Sequence, residues 1–304
     1  MKISVIGAGN VGSLTAMRLA QSCLGDILLV DIARGLALGK SLDLEDARPI
    51  LSADYNIKGT EEISGIKDSD IIVITAGLAR KPGMTREDLL LKNSRILKDI
   101  SLNIRSLAPD SIVIVVTNPL DLMTWLVLKA TGFNKNKVFG MGVSLDAARF
   151  ANIIANEFNL SVNDVEAVVI GAHGEAMLPL PGQTKVKGVE LDRFTDKAKI
   201  GLLVDKTVKR GAEIVSALGS GSAFFAPSAA IARIVSAIVK DEKKTIGVCA
   251  YLDGEYGIKD TCIGVPCKLG KNGIEDIIEL DLAKEEAERF KESAASISKL
   301  IKGL

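Results

Sequence analysis

Apolar residues in the first half of the chain fall in short runs rich in Val and Ile, separated by longer stretches where they recur at helical spacing. Lys2 to Ile6, Asp26 to Asp31, Asp70 to Thr75, Ser111 to Thr117 and Lys137 to Gly140 read as strands, and the segments between them as helices. Runs without polar alternation, such as Ile112 to Val116, suit strands buried on both faces, so the pattern predicts a parallel sheet with crossover helices. After about Gly142 the alternation changes. Helical patterns cover Leu145 to Glu157, Lys199 to Leu218 and Pro227 to Lys240, and strands broken by glycine turns are predicted between Thr245 and Leu280. From Leu282 to Leu304, the residues Ala287, Phe290, Ala294, Ile297 and Ile301 share one face of a closing amphipathic helix.

Composition narrows the function classes. Lysine plus arginine and aspartate plus glutamate number 38 each, so there is no net basic field to attract a polyanion, and nucleic acid is not an expected partner. No apolar run approaches the roughly 20 residues that cross a bilayer, so no membrane association is expected. The first apolar stretch, Ile3 to Ala8, runs straight into a glycine loop and reads as a strand, not a signal peptide. The four cysteines, Cys23, Cys249, Cys262 and Cys267, form no CxxC pair and read as reduced, mostly buried thiols of a cytoplasmic protein.

Gly7, Gly9 and Gly12 spell GxGxxG between the first strand and the helix that follows, where backbone amides and the helix dipole receive a pyrophosphate. Alone the triplet is a weak signal, because a tight strand-to-helix turn needs glycine for steric reasons too. The second strand, however, ends in Asp31, 24 residues past Gly7. That is close to the roughly 20-residue spacing of the acid that grips ribose hydroxyls and repels the extra phosphate of NADP. Strand, glycines, helix and acid agree on NAD, with Arg34 the one neighbour that softens the preference. The expected fold class is therefore α/β: an N-terminal Rossmann-type parallel sheet binding NAD over residues 1–142, then a mixed α+β substrate-binding and catalytic domain over residues 143–304.

Hydride transfer to a carbonyl needs a proton donor that titrates near neutrality, and the chain has one histidine. His173 lies in Gly171-Ala-His-Gly174 at the end of the apolar run Val165 to Ile170, so it is expected to emerge at a strand end. A lone histidine is more often incidental; here flanking glycines and a cofactor fold favour function. Asp146 and Arg149 stand three apart on one predicted helix face. Two accounts fit: a weak surface pair, or an Asp146 that orients the histidine while Arg149 grips a substrate carboxylate. The segment Gly77 to Arg86 leaves the carboxyl edge of the sheet with three cations, Arg80, Lys81 and Arg86, and reads as a lid over an anion. Asn118-Pro119 follows the next strand and is placed to present an amide, though a simple turn would use the same dipeptide.

These stretches together resemble the lactate and malate dehydrogenase family. GAGNVG at 7–12, TAGLARKPGMTREDLL at 75–90, TNPLD at 117–121, SLDAARF at 144–150, GAHGE at 171–175 and IGVPCKLGKNG at 263–273 follow the family's order across nearly the whole chain. The resemblance implies His173 as acid and base, Asp146 holding its ring, Arg149 on the carboxylate beside the reacting carbon, and Arg86 polarising the carbonyl. Asn118 would bind substrate and help place the nicotinamide. The NAD contacts implied are Gly7, Gly9, Asn10, Val11, Gly12, Asp31, Thr75, Ala76, Gly77 and Asn118. Arg80 would select a second substrate carboxylate over a methyl group, because an enclosed guanidinium left without its partner costs about 3 to 5 kcal/mol. The expected activity is thus reversible NAD-dependent oxidation of (S)-malate to oxaloacetate, a tricarboxylic acid cycle reaction, by a cytoplasmic homodimer or homotetramer with no catalytic metal.

Rivals are a lactate or other 2-hydroxyacid dehydrogenase, disfavoured by Arg80, and a noncatalytic NAD sensor, which would not need the histidine and arginines. An NAD-dependent glycosidase would want cysteine and histidine around a metal, and no cysteine lies near His173 in sequence. Two departures from the family pattern flank the site: Glu175-Ala176 after His-Gly, where Asp then Thr or Ser is usual, and Ala147 where Ser is common.

Overall fold

The computed structural model describes residues 1–78 and 86–301, apart from the side chains of Arg86 and Glu87. In chain order the first half supplies β1 (Lys2–Ile6), α1 (Asn10–Gln21), β2 (Asp26–Val30), α2 (Leu36–Asp46), the single turn α3 (Arg48–Leu51), β3 (Ile57–Thr60), β4 (Ile71–Ile74), α4 (Arg86–Leu107), β5 (Ile112–Val115), α5 (Leu120–Thr131) and β6 (Val138–Gly140). The second half supplies α6 (Val143–Phe158), β7 (Val165–Glu166), β8 (Val169–Gly171), β9 (Met177–Pro179), β10 (Lys185–Val186), β11 (Val189–Glu190), α7 (Leu191–Phe194), α8 (Lys197–Leu218), α9 (Phe225–Val239), β12 (Lys244–Asp253), β13 (Lys259–Gly270), β14 (Gly273–Ile277) and α10 (Lys284–Ile301).

The first six strands are parallel, in the order β3-β2-β1-β4-β5-β6. Every residue of β4 and β5 is buried, as their unbroken Val and Ile runs require between two helical layers. Strand order reverses between β1 and β4, so the connections leaving their carboxyl ends diverge and open a crevice there.

The sheet does not stop at Gly142. β12 joins β6 antiparallel through Cys249 opposite Gly140, and β13, β8 and β9 extend the same sheet. One apolar core accordingly runs from Ile3 and Val73 through Val265 to Phe290 and Ile297. A second, smaller core packs Phe150, Ile153 and Ile154 of α6 against Ile200 and Leu203 of α8. Helix α6 serves both cores, which makes it a rigid platform for the polar side chains on its remaining face.

The structure departs from the sequence pattern in short elements. Strand β3 carries Lys58 and Gly59 in four residues and has no apolar run to announce it; it forms because β2 offers it an edge. The apolar run Val165 to Ile170 divides, β7 going to a small sheet with β10 and β11, and β8 to the large one. The closing helix buries Phe290, Ala294 and Ile297 as expected, and adds Ser293.

Candidate active site

The glycine loop is built by close approach. Gly7 has φ +105°, and a Cβ there would stand 2.6 Å from the Ala76 backbone nitrogen. A Cβ on Gly12 would stand 1.8 Å from the Gly7 carbonyl oxygen. Only hydrogen at these two positions lets α1 start directly above β1. Gly9 is different: it is exposed, and a Cβ there would meet nothing within 4 Å of protein. It caps α1 without a side-chain hydrogen bond, and the amides of the first turn have no acceptor within the helix. An open cradle of amides at a helix N-terminus fits a dinucleotide pyrophosphate.

Asp31 closes this loop. One of its carboxylate oxygens accepts from the Ala8 amide at 2.6 Å and the other from the Ala33 amide at 2.9 Å. Its position at the end of β2 thus also shapes the cradle. Lys40 of α2 donates from Nζ to the Ala8 carbonyl at 2.6 Å and to Ser13 Oγ at 2.9 Å, placing a cation under the loop.

Thr75, Ala76 and Gly77 leave β4 beside the cradle, and Thr75 Oγ1 donates to the Gly7 carbonyl at 3.0 Å. The buried Asn93 of α4 clamps this connection to the next one. Its Oδ1 accepts from the Leu78 amide at 2.8 Å, and its Nδ2 donates to the Asn118 carbonyl at 2.8 Å. Asn118 itself is exposed at the crevice rim, just beyond β5.

His173 emerges two residues past β8. Its Nδ1 lies 2.8 Å from Asp146 Oδ2, and Asp146 is wholly buried. The carboxylate makes Nδ1 the protonated nitrogen, and Nε2 has no hydrogen-bond partner among the described residues. Asp146 Oδ1 accepts from Arg149 Nη1 at 3.2 Å. Of the two accounts of this pair, the surface one fails: Arg149 is 12% exposed and its partner not at all. Nor is Arg149 detached from Asp146, since a single carboxylate serves both cation and ring. Arg149 Nε is buried without a partner, so the guanidinium retains unused donors.

The backbone that carries the histidine is pinned from two sides. The His173 amide donates to Asp121 Oδ2 at 2.9 Å, and the Ala172 amide donates to Ser293 Oγ at 3.0 Å. Ser293 Oγ in turn donates to the Ala176 carbonyl at 2.9 Å, so the departure at Ala176 leaves the loop's anchoring to backbone atoms. Ala147 packs against the second core.

Electrostatics follow from these contacts. Burial alone would push the imidazole down; the Asp146 charge and hydrogen bond and the Asp121 charge outweigh it, against an opposing Arg149. The imidazole therefore titrates above its ordinary 6.5.

The structure brings together His173, Asp146 and Arg149, and separately gathers Gly7, Gly9, Asn10, Val11, Gly12, Asp31, Thr75, Ala76 and Gly77 around the cradle. Arg80 lies outside the described residues, as does the Arg86 side chain. Asn93, Lys40, Asp121 and Ser293 were not singled out by sequence; each acts through a partner at least 15 residues away, which periodicity cannot register.

A parallel sheet with a dinucleotide cradle at its switch point, and beyond it a carboxylate-held histidine beside an arginine, define an NAD-dependent dehydrogenase. Residues 1–140 match the lactate/malate dehydrogenase NAD-binding domain and residues 143–303 the alpha/beta C-terminal domain of the same enzymes. The chain belongs to the lactate/malate dehydrogenase family. It is 52% identical to a malate dehydrogenase of Methanosarcina mazei over 304 residues, covering 100% of this chain and 99% of that one. The structure of the malate dehydrogenase from Picrophilus torridus superposes with TM-score 0.95 at 44% identity, covering 98% of this chain and 95% of the other. A lactate dehydrogenase of Cryptosporidium parvum, complexed with lactic acid and nicotinamide adenine dinucleotide, gives TM-score 0.95 at 36% identity over 100% and 98% of the two chains.

Proposed function

We propose that the chain catalyses the reversible NAD-dependent oxidation of (S)-malate to oxaloacetate, with residues 1–142 binding NAD and residues 143–304 forming the substrate-binding and catalytic domain that carries His173, Asp146 and Arg149. The observation that carries this reading is the Asp146-His173 pair at 2.8 Å with Arg149 on the same carboxylate. NAD supplies the hydride acceptor in one direction and the donor in the other. His173, protonated on Nδ1 by its bond to Asp146, gives or takes a proton at Nε2 where the substrate oxygen lies. Asp146 stabilises the imidazolium that forms. Arg149 presents its free donors to the carboxylate next to the reacting carbon, and a planar bidentate grip fixes the substrate's orientation. Arg86 polarises the carbonyl, Asn118 binds substrate, and Arg80 pairs with the second carboxylate. The roles of Asp31, Asn10, Val11 and the glycines are to hold the dinucleotide.

The malate relatives support the substrate choice, and the assay that tests it follows NADH oxidation with oxaloacetate and pyruvate side by side. Oxaloacetate should be preferred, and Arg80→Gln should move the ratio of kcat/KM toward pyruvate by roughly a hundred- to several-thousandfold, matching the loss of a buried charge partner. An unchanged ratio would remove Arg80 from the assignment and favour a broader 2-hydroxyacid dehydrogenase.

The pH profile has a definite sign. Reduction consumes the imidazolium, so kcat/KM for oxaloacetate should fall as pH rises through a midpoint above 6.5, while kcat/KM for malate rises across the same window. A midpoint at or below 6.5 would contradict the stabilisation of the cation by Asp146.

The protein is further proposed to act in the cytoplasm as a homodimer or homotetramer. Among the described residues no helix is long and apolar enough to cross a membrane.

A further inference from the structure

Lys40 stands on the packed face of α2. Ala37 and Ser41 on the same side of the helix are buried, whereas Leu38, Gly39 and Leu42 are exposed. A lysine in such a place usually takes a carboxylate. Among the described residues Lys40 makes no ion pair; its ammonium reaches across to the glycine loop instead, donating to the Ala8 carbonyl at 2.6 Å and to Ser13 Oγ at 2.9 Å. Ser13 Oγ in turn lies 2.9 Å from the same carbonyl and 2.8 Å from that of Gly9. On the other side of the residue, the Ala8 amide donates to Asp31 Oδ2 at 2.6 Å. Ala8 is thus held between a cation and an anion.

The loop has an electrostatic problem that this arrangement answers. Asp31, which the ribose needs, puts a negative charge one hydrogen bond away from the backbone that must receive a pyrophosphate. Helix α1 offers no relief, because its first charged residue is Arg18, which donates to Ser228 of α9. Among the described residues Lys40 is the one cation hydrogen-bonded to residues 7–13. A neutral donor such as Gln would hold a carbonyl without the cost of desolvating a charge, so the clamp alone does not call for lysine. We propose that Lys40 is a positioning residue of the cofactor site, fixing the Ala8 carbonyl and lending the positive charge that offsets Asp31 when the pyrophosphate enters. This rests on the glycine loop being the NAD cradle.

The test compares two ligands that differ in phosphate, adenosine and ADP-ribose, each displacing NADH from the full-length protein. Lys40→Gln keeps a donor on the side chain and removes the charge. Its affinity for ADP-ribose and for NADH should fall about tenfold, with adenosine bound as in the parent chain. The deficit should shrink as salt rises from about 0.05 to about 0.5 M, since screening weakens a charge effect and leaves a steric fit alone. A folded Lys40→Gln protein that binds ADP-ribose as tightly as the parent would overturn the proposal. Equal weakening of adenosine and ADP-ribose would overturn it too, leaving Lys40 a prop for the loop. Should Lys40→Gln fail to fold, Lys40→Arg decides. It retains the charge and should bind ADP-ribose as the parent does; a tenfold loss there with adenosine unaffected would overturn the role of charge. Failure of the parent chain itself to bind NADH or ADP-ribose would instead defeat the reading of the loop as the NAD cradle.

Discussion

Replacing His173 with alanine will lower kcat/KM for oxaloacetate about a hundred- to ten-thousandfold while leaving NADH affinity unchanged. The reason is local. The ring touches Asp146 at 2.8 Å and otherwise faces the substrate side, whereas the glycine cradle that holds the dinucleotide is built from Gly7, Gly12, Asp31 and Lys40. Truncation leaves Asp146 buried with one oxygen still bonded to Arg149, so the carboxylate keeps a partner and the fold survives. Steady-state kinetics and NADH fluorescence titration separate the two effects. Full activity in this variant would mean that another group transfers the proton, and loss of NADH binding would mean that the two sites are not independent.

Two glycine substitutions in one loop should behave oppositely in the absence of cofactor. In Gly12→Ala the new methyl meets the Gly7 carbonyl, 1.8 Å away at the unrelaxed position, and Thr75 Oγ1 at 2.7 Å. A backbone carbonyl yields only if the loop moves, so overpacking should cost about 1 to 3 kcal/mol and lower Tm by several degrees. In Gly9→Ala the methyl projects into open space, and Tm without cofactor should match the parent chain. Both variants should bind NADH more weakly, on the order of a hundredfold, Gly12→Ala because the cradle shifts and Gly9→Ala because the methyl occupies the pyrophosphate's path. Differential scanning fluorimetry and NADH titration test both. Parental NADH affinity in Gly9→Ala would show that the dinucleotide does not approach the loop at this point.

Much of this architecture was legible along the chain because it is written in local periodicity. Five strands of the parallel sheet stand within a residue or two of their expected ends, since runs such as Ile112 to Val115 have no stable place except between two layers. The GxGxxG loop was legible because its glycines answer contacts close in sequence: Gly12 meets Gly7, five residues away. Where the pattern failed, the cause was length or distance. Strand β3 is held by pairing with β2 and not by its own composition, and the strands β7, β10 and β11 have two residues each, too few to show a period. The expected boundary at Gly142 gave no hint that β12 would continue the same sheet across Gly140.

The sequence by itself determined that this chain forms a parallel sheet with a dinucleotide loop, places one histidine after a strand and sets an aspartate and an arginine three apart on a helix. Those facts are local, because the strand and helix periods set them within a few residues. Only the tertiary structure decided that Asp146 serves both His173 and Arg149, that Asn93 ties together the connections after β4 and β5, and that Asp121 stands under the histidine. The physical reason is that these contacts join residues 15 to 52 positions apart along the chain, apart from the Arg149 pair. A charge's effect depends on burial and on the distance to its neighbours, and both are set only when α5, α6 and β8 pack together.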